Sequence, residues 1–178
     1  MVSFAKKVWL ITYLFLEINL CIMKIEVGST APEFSLYSSE KKKISLEDYR
    51  GKNIVLLFFP LAFTGVCTKE LCNVRDTISI YNNANADVIA ISVDSPQTLA
   101  KFKEDQNLNF QLLSDFNKVV SEMYGCIYET FSMEMKGVSK RSAFVIDGEG
   151  TIQYAEVLEN AGETAKFSGD YRLLKSIN

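Results

Sequence analysis

Three short apolar runs, residues 53–59, 87–93 and 142–146, constrain this chain most. Each is rich in Val, Ile, Leu or Phe and poor in polar residues, the pattern of a strand buried on both faces. Strands of that kind need helices to cover their sheet, and the sequence supplies them. Between the first two runs, Cys67, Leu71, Val74, Ile78 and Tyr81 recur at intervals of three and four, the period of one buried helix face. Pro96 stands where a proline opens a helix, and residues 117–124 form a third helical stretch closed by Gly125. After Ile146, the turn Asp147-Gly148-Glu149-Gly150 leads into residues 151–158 as a hairpin partner, and a last helix is expected over residues 165–176. Parallel strands joined through crossover helices, then an antiparallel hairpin, describe an α/β chain with a central mixed sheet flanked by helices.

At 178 residues, with 48% hydrophobic residues, the chain has material for one core and little for a second. No repeat, low-complexity tract or Gly/Pro-rich linker divides it. The expected organisation is therefore an extension over residues 1–22 and one domain over residues 23–178. The extension carries Lys6 and Lys7 ahead of an apolar run, residues 8–16, which imitates the start of a signal peptide. Glu17 and Asn19 interrupt it, no small-residue cleavage site follows, and the run is too short to span a bilayer. An over-extended start or a disordered tail is the plainer expectation, with Met23 as the ordinary beginning, against an export or membrane-attachment signal.

The formal net charge of −3 offers no basic footprint for nucleic acid or anionic lipid, so neither partner is expected. The chain has no histidine. That removes the commonest general base, the commonest metal ligand and the usual activator of a nucleophilic serine or cysteine. Cysteines stand at 21, 67, 72 and 126 with no CxxC pair, which argues against a zinc ribbon and against a dithiol redox motif. So few, unevenly spaced, in a chain with an ample core, they fit thiols of a reducing compartment, and the expected location is cytoplasmic. No cofactor and no metal are called for.

Chemistry-bearing residues gather after the first central strand. Residues 58–72 leave the sheet, pass through a loop and enter the helix, which places Cys67 in its first turn. There, backbone N–H groups without intrahelical acceptors and the helix dipole favour an anion, and a thiolate is one. Thr64 is positioned to cap this helix or to hydrogen-bond the sulfur, and Pro60 stiffens the loop. Each residue also has a duller reading: Cys67 as core filler, Thr64 as a cap only, Arg141 as an exposed charge at a strand start, and Cys126 as buried filler.

The pattern Pro60-x-x-x-Thr64-x-x-Cys67 resembles the active-site signature of the peroxiredoxins. Ala31-Pro32-Glu33-Phe34 and Arg141-Ser142-Ala143-Phe144-Val145-Ile146-Asp147 are similar to further landmarks of that family, so the likeness covers about residues 25–176. The run Leu61-Ala62-Phe63-Thr64-Gly65-Val66-Cys67 and the tail Val157-Leu158-Glu159-Asn160-Ala161-Gly162 are similar to the alkyl hydroperoxide reductase E type. Cys72, five residues past Cys67, resembles the bacterioferritin comigratory protein type. The resemblance implies a thioredoxin fold and a thiol peroxidase that reduces hydrogen peroxide and organic hydroperoxides. It makes Cys67 the peroxidatic nucleophile, Thr64 a hydrogen-bond partner of thiolate and peroxide, Pro60 a shield over the pocket and Arg141 the active-site arginine. Glu70 also fits the family pattern as an orienting residue, with Arg75 and Arg141 both open as its partner. The implied reductant is thioredoxin or a similar thiol, and the oligomeric state stays open, a homodimer included.

Cys72 is then the candidate to resolve a Cys67 sulfenic acid, with Cys126 or an external thiol as alternatives. In a regular helix five residues turn the chain by about 500° and advance it about 7.5 Å, which leaves the two side chains roughly 140° apart. A disulfide needs Cα atoms within about 7 Å, so the first turns are expected to unwind. Two rival functions share the fold: a thioredoxin-like disulfide oxidoreductase, which needs a close dithiol that is lacking here, and a catalytically silent interaction module.

Overall fold

The computed structural model describes residues 25–165. Its centre is a seven-stranded sheet. In chain order the strands are β1 (Ser35–Ser38), β2 (Lys43–Ser45), β3 (Asn53–Phe58), β4 (Ala86–Ser92), β5 (Gln111–Ser114), β8 (Ser142–Ile146) and β9 (Ile152–Val157), set side by side as β2-β1-β5-β4-β3-β8-β9. A separate two-stranded ribbon joins β6 (Ile127–Tyr128) to β7 (Val138–Ser139). β3, β4 and β5 run parallel, while β8 lies antiparallel to β3 and β9 antiparallel to β8, so the sheet is mixed as expected. The three apolar runs are its middle strands, and β3 and β8 are buried along their whole length.

Alternation along β3 sorts the core into two layers. Val55 and Leu57 face one side with Cys67, Leu71 and Val74 of α1 (Gly65–Asp76), Tyr81 of α2 (Ile78–Asn83), and Leu99 and Phe102 of α3 (Pro96–Asp105). Ile54, Leu56 and Phe58 face the other side with Phe34, Val120 of α4 (Val119–Met123), Tyr124 and Cys126. The crossovers β3-α1-α2-β4 and β4-α3-β5 thus cover one face, and α4 covers the opposite one.

The helical stretch from Cys67 to Tyr81 keeps its stripe but is two helices. Thr77 leaves helical geometry between them, its hydroxyl donating to the Asn73 carbonyl at 2.8 Å, a local bond by which threonine competes with helix continuation. The third helix is shorter than residues 117–124. Lys118 takes a left-handed φ of 65°, and the Asp115 carboxylate accepts from Val120 and Ser121 N–H to start α4 at Val119. Its end is where the sequence put it: Gly125 is left-handed, and Gly125 N–H and Cys126 N–H donate to the Glu122 and Ser121 carbonyls, a Schellman closure. β1, β2 and β5 were not foreseen. They are three or four residues long and serine-containing, too short for alternation to stand out. The expected helix over residues 165–176, apart from Ala165, and the residue 1–22 extension with Cys21 lie outside the described residues.

Candidate active site

The end of β3 delivers the chain into the loop that sets the site. Phe59 N–H still pairs with the Ile91 carbonyl at 3.0 Å, then Pro60, buried and without an N–H, ends the ladder. Ala62 N–H donates to the Asp94 carboxylate at 2.7 Å, and the Ser92 hydroxyl donates to the same oxygen at 2.6 Å. Phe63 adopts φ 62°, a left-handed geometry uncommon for a bulky residue, with its ring set edge-on to Phe102 at 5.0 Å between centroids. Asp94 and Phe102 therefore hold a strained turn just ahead of α1.

Thr64 occupies the N-cap, its carbonyl accepting from Thr68 N–H at 2.9 Å. Its hydroxyl neither caps the helix nor meets the sulfur. It donates to the Leu61 carbonyl at 2.8 Å and so ties the loop to itself. Cys67 is the third residue of α1 and is 1% exposed.

Arg141 lies between β7 and β8, and its side chain is buried at 1% exposure rather than solvated. Nη2 donates to Cys67 Sγ at 3.3 Å and to the Ala161 carbonyl at 3.2 Å, and Nη1 donates to Glu70 Oε2. Nε is buried and has no hydrogen-bond partner. Burial opposes the guanidinium's charge, but Glu70 and Cys67 outweigh it and hold its pKa above the ordinary value. Glu70 is equally enclosed, at 4% exposure; burial pushes its carboxyl up against the pull of Arg141 and of Ala165 N–H. The arginine that Glu70 faces is thus Arg141. Arg75 instead pairs with Asp76 at 2.8 Å and donates to the Gln106 carbonyl.

Sequence reasoning picked out residues 157–162 only by resemblance and missed their place at the site, where residues 158–165 after β9 form a strap that closes it. Leu158 N–H donates to the Arg141 carbonyl, Tyr128 Oη to the Glu159 carbonyl at 3.0 Å, and Lys140 Nζ pairs with Glu159 at 2.7 and 2.8 Å. The strap then presents the Ala161 carbonyl to Arg141 and Ala165 N–H to Glu70 Oε1 at 3.3 Å. A cleft of about 530 Å³ separates it from the first turn of α1, between Gly65, Val66 and Lys69 on one side and Gly162, Glu163 and Thr164 on the other. A larger hollow of about 590 Å³, lined by Phe34, Tyr37, Phe116 and Val119, touches none of these residues. The strap meets Arg141 and Glu70 through backbone groups, which residue types do not advertise.

Cys72, also on α1, is partly exposed and directs its S–H at Gln106 Oε1, 3.6 Å away. The helix between the two thiols is intact, which keeps them apart. Cys126 is fully buried in the core layer on the opposite side of the sheet from Cys67, and burial pushes its thiol up. Cys67, Cys72 and Cys126 are all free, and no cluster of metal-ligating side chains occurs among the described residues.

A model of the AhpC/TSA family matches residues 27–155. Alkyl hydroperoxide reductase E of Mycobacterium tuberculosis is 40% identical over 136 residues, covering 75% of this chain and 86% of that protein. A putative peroxiredoxin bcp of Coxiella burnetii is 42% identical over 132 residues, covering 73% and 87%. Among solved structures, the peroxidoxin BcpB of Mycobacterium tuberculosis superposes with a TM-score of 0.75 at 27% identity, covering 86% of this chain and 99% of that one.

Proposed function

Because this chain belongs to the AhpC/TSA family and is a thiol-dependent hydroperoxide reductase, we propose that Cys67 is its peroxidatic cysteine and Arg141 the cation that serves it. One observation carries the assignment: a fully buried guanidinium donates to the sulfur of a cysteine in the first turn of a helix. A buried arginine is costly unless its partners need it, and here they are one carboxylate, one thiol and the Ala161 carbonyl.

The Cys67 thiolate attacks the terminal oxygen of a hydroperoxide. An S–O bond forms, the O–O bond breaks, and the departing alkoxide or hydroxide takes a proton. Charge grows on that leaving oxygen, so donors fixed in advance lower the barrier. Arg141 has one to spare, since Nη2 is on the sulfur and Nε, on the same edge of the planar group, has no partner. Thr64 and Pro60 shape the loop over the sulfur, and Glu70 orients the guanidinium.

The resulting sulfenic acid is attacked by the Cys72 thiol, giving a Cys67–Cys72 disulfide and water. A dithiol protein of the thioredoxin type then reduces it, returning both thiols and leaving as its own disulfide. Few and unevenly spaced thiols suit a reducing compartment, which supports a cytoplasmic location; no helix among the described residues is long and apolar enough to cross a membrane.

Rapid mixing with one equivalent of hydrogen peroxide, followed by peptide mass mapping, tests both assignments. Stoichiometric loss of the Cys67 thiol and a Cys67–Cys72 link are expected. An unreacted Cys67 overturns the nucleophile, and a Cys67–Cys126 link or a lasting sulfenic acid beside a free Cys72 overturns the resolving residue.

A further inference from the structure

The two thiols of α1 are held at their opposite ends by different means. At the Cys67 end the ties are buried: Arg141 to the sulfur, Arg141 to Glu70, and Glu70 to Ala165 N–H. At the Cys72 end they come from one short connection, the segment between α3 and β5. Gln106 is the C-cap of α3; its side-chain oxygen accepts from Cys72, and its carbonyl accepts from Arg75 Nη1. Asn109 Nδ2 donates in turn to the Arg75 carbonyl at 3.3 Å. Helix α1 ends at Asp76, one residue before the Thr77 break. This end therefore has a helix terminus close by, partly exposed bonds and one buried apolar side chain, Val74, to lift.

We propose that Gln106 is a positioning residue that latches Cys72 in the reduced enzyme, and that release of this latch sets the rate of disulfide formation. The inference rests on Cys72 being the resolving thiol. In the step concerned, the Cys72 thiol attacks the Cys67 sulfenic sulfur, the S–OH bond breaks, an S–S bond forms and water leaves. The Cys72 sulfur is oxidised by the sulfenic sulfur, which is reduced in the same step, so no further oxidant is needed. Before that attack the Cys72 S–H must leave Gln106, and residues 72–76 must come away from residues 106–109. Contrary to the expectation that the first turns unwind, the half of α1 that yields is the Cys72 half, because the first turn is fixed by the buried guanidinium and the strap, whereas the latch bonds lie near solvent and beside a helix end. Peroxide reduction itself does not involve Gln106.

The prediction is a separation of the two chemical steps. In Gln106→Ala the acceptor is gone, so disulfide formation should run two- to tenfold faster, a change of about 0.4–1.4 kcal/mol at 1.36 kcal/mol per tenfold, while the rate of Cys67 oxidation stays unchanged. In Gln106→Glu a charged acceptor holds the S–H more firmly, and the same step should slow. A merely structural disturbance would move both variants the same way. Arg75→Met, which removes the bond to the Gln106 carbonyl, should also accelerate the step. Stopped-flow mixing of the reduced full chain with hydrogen peroxide, quenched with acid and alkylating agent at timed intervals, resolves sulfenic acid from disulfide by mass. A faster Ala variant should also accumulate less Cys67 sulfinic acid at excess peroxide, since overoxidation competes with resolution. An unchanged or slower disulfide step in Gln106→Ala, with the disulfide still formed, overturns the latch and leaves Cys72 as resolver. No Cys67–Cys72 disulfide in the unaltered chain overturns the assignment of Cys72, and the latch with it.

Discussion

Replacing Arg141 by methionine separates what the guanidinium does for chemistry from what it does for the fold. The variant loses the Nη2 donation to Cys67 and the spare Nε donor, and removal of one preorganised donor costs about 10²–10³ in rate. It also leaves Glu70, 4% exposed, without its cation, and breaking a buried pair costs about 3–5 kcal/mol, a large part of the roughly 5–15 kcal/mol margin of a domain. That second loss must depend on pH. Burial already raises the Glu70 carboxyl and Arg141 opposes it, so without Arg141 the carboxyl rises further. A carboxyl whose folded pKa is raised adds stability below its unfolded value, about 4.3, and loses it as pH climbs through the folded value. Arg141→Met should therefore come closest to the unaltered protein at pH 4–4.5 and fall furthest behind at pH 7–8. Adding Glu70→Gln should restore much of the neutral-pH loss but none of the rate. Urea unfolding at several pH values and stopped-flow peroxide consumption measure the two quantities. A stability gap flat in pH would refute the Glu70 argument, and an unaltered peroxide rate would remove Arg141 from the chemistry.

Cys126 has its thiol raised by burial, so it stabilises the fold below the unfolded thiol value of about 8.5 and that contribution is lost as pH rises. Cys126→Ala should start less stable, from the cavity, yet lose less between pH 8 and 10 in thermal melts than the unaltered chain. Thr64→Val removes the hydroxyl bond to the Leu61 carbonyl, about 1 kcal/mol, and should slow peroxide reduction roughly fivefold, with Thr64→Ser recovering most of it in the same assay. A chain starting at Met23 should keep both its melting temperature and its peroxide rate, since among the described residues the buried core begins at Ala31, with Ile25 packed against it, and a Met23 start retains both. A lower melting temperature would show that residues 1–22 contribute to the fold.

Legibility in the sequence followed the length of the signal. β3, β4 and β8 were evident because a strand buried on both faces is apolar almost throughout, and the end of α4 because Gly125 supplies the left-handed residue a Schellman closure uses. β1, β2 and β5 escaped because three or four residues cannot display a period, and the Thr77 break because the apolar stripe runs on across it. At the site, side-chain chemistry was legible: Cys67 in a first helical turn, Arg141 to meet it and Glu70 beside them. Which arginine met Glu70 was not, since pairing across 71 positions depends on how β8 docks against β3. Residues 157–162 stood out only by resemblance, and the strap's contacts with the site were invisible because they are a carbonyl and an N–H, which every residue but proline possesses.

Charge at the site changes during the cycle, and the arrangement of Arg141 turns that change into a sequence of events. In the reduced enzyme one guanidinium faces two acidic groups, the Glu70 carboxyl and the Cys67 thiol, and each helps to hold it charged in a buried place. With Cys67 as the proposed peroxidatic cysteine, peroxide turns its thiolate into a neutral sulfenic acid, which keeps a hydrogen-bonding oxygen but no longer attracts Nη2 as a charge. The pair with Glu70 is untouched by that step, and so is the bond from Ala165 N–H to the other Glu70 oxygen. Oxidation therefore loosens the Cys67 side chain without loosening the backbone that carries it. On the proposed cycle the sulfur is then free to rotate toward the proposed resolving thiol, Cys72, while the strap and the first turn keep the guanidinium where the next peroxide will need it.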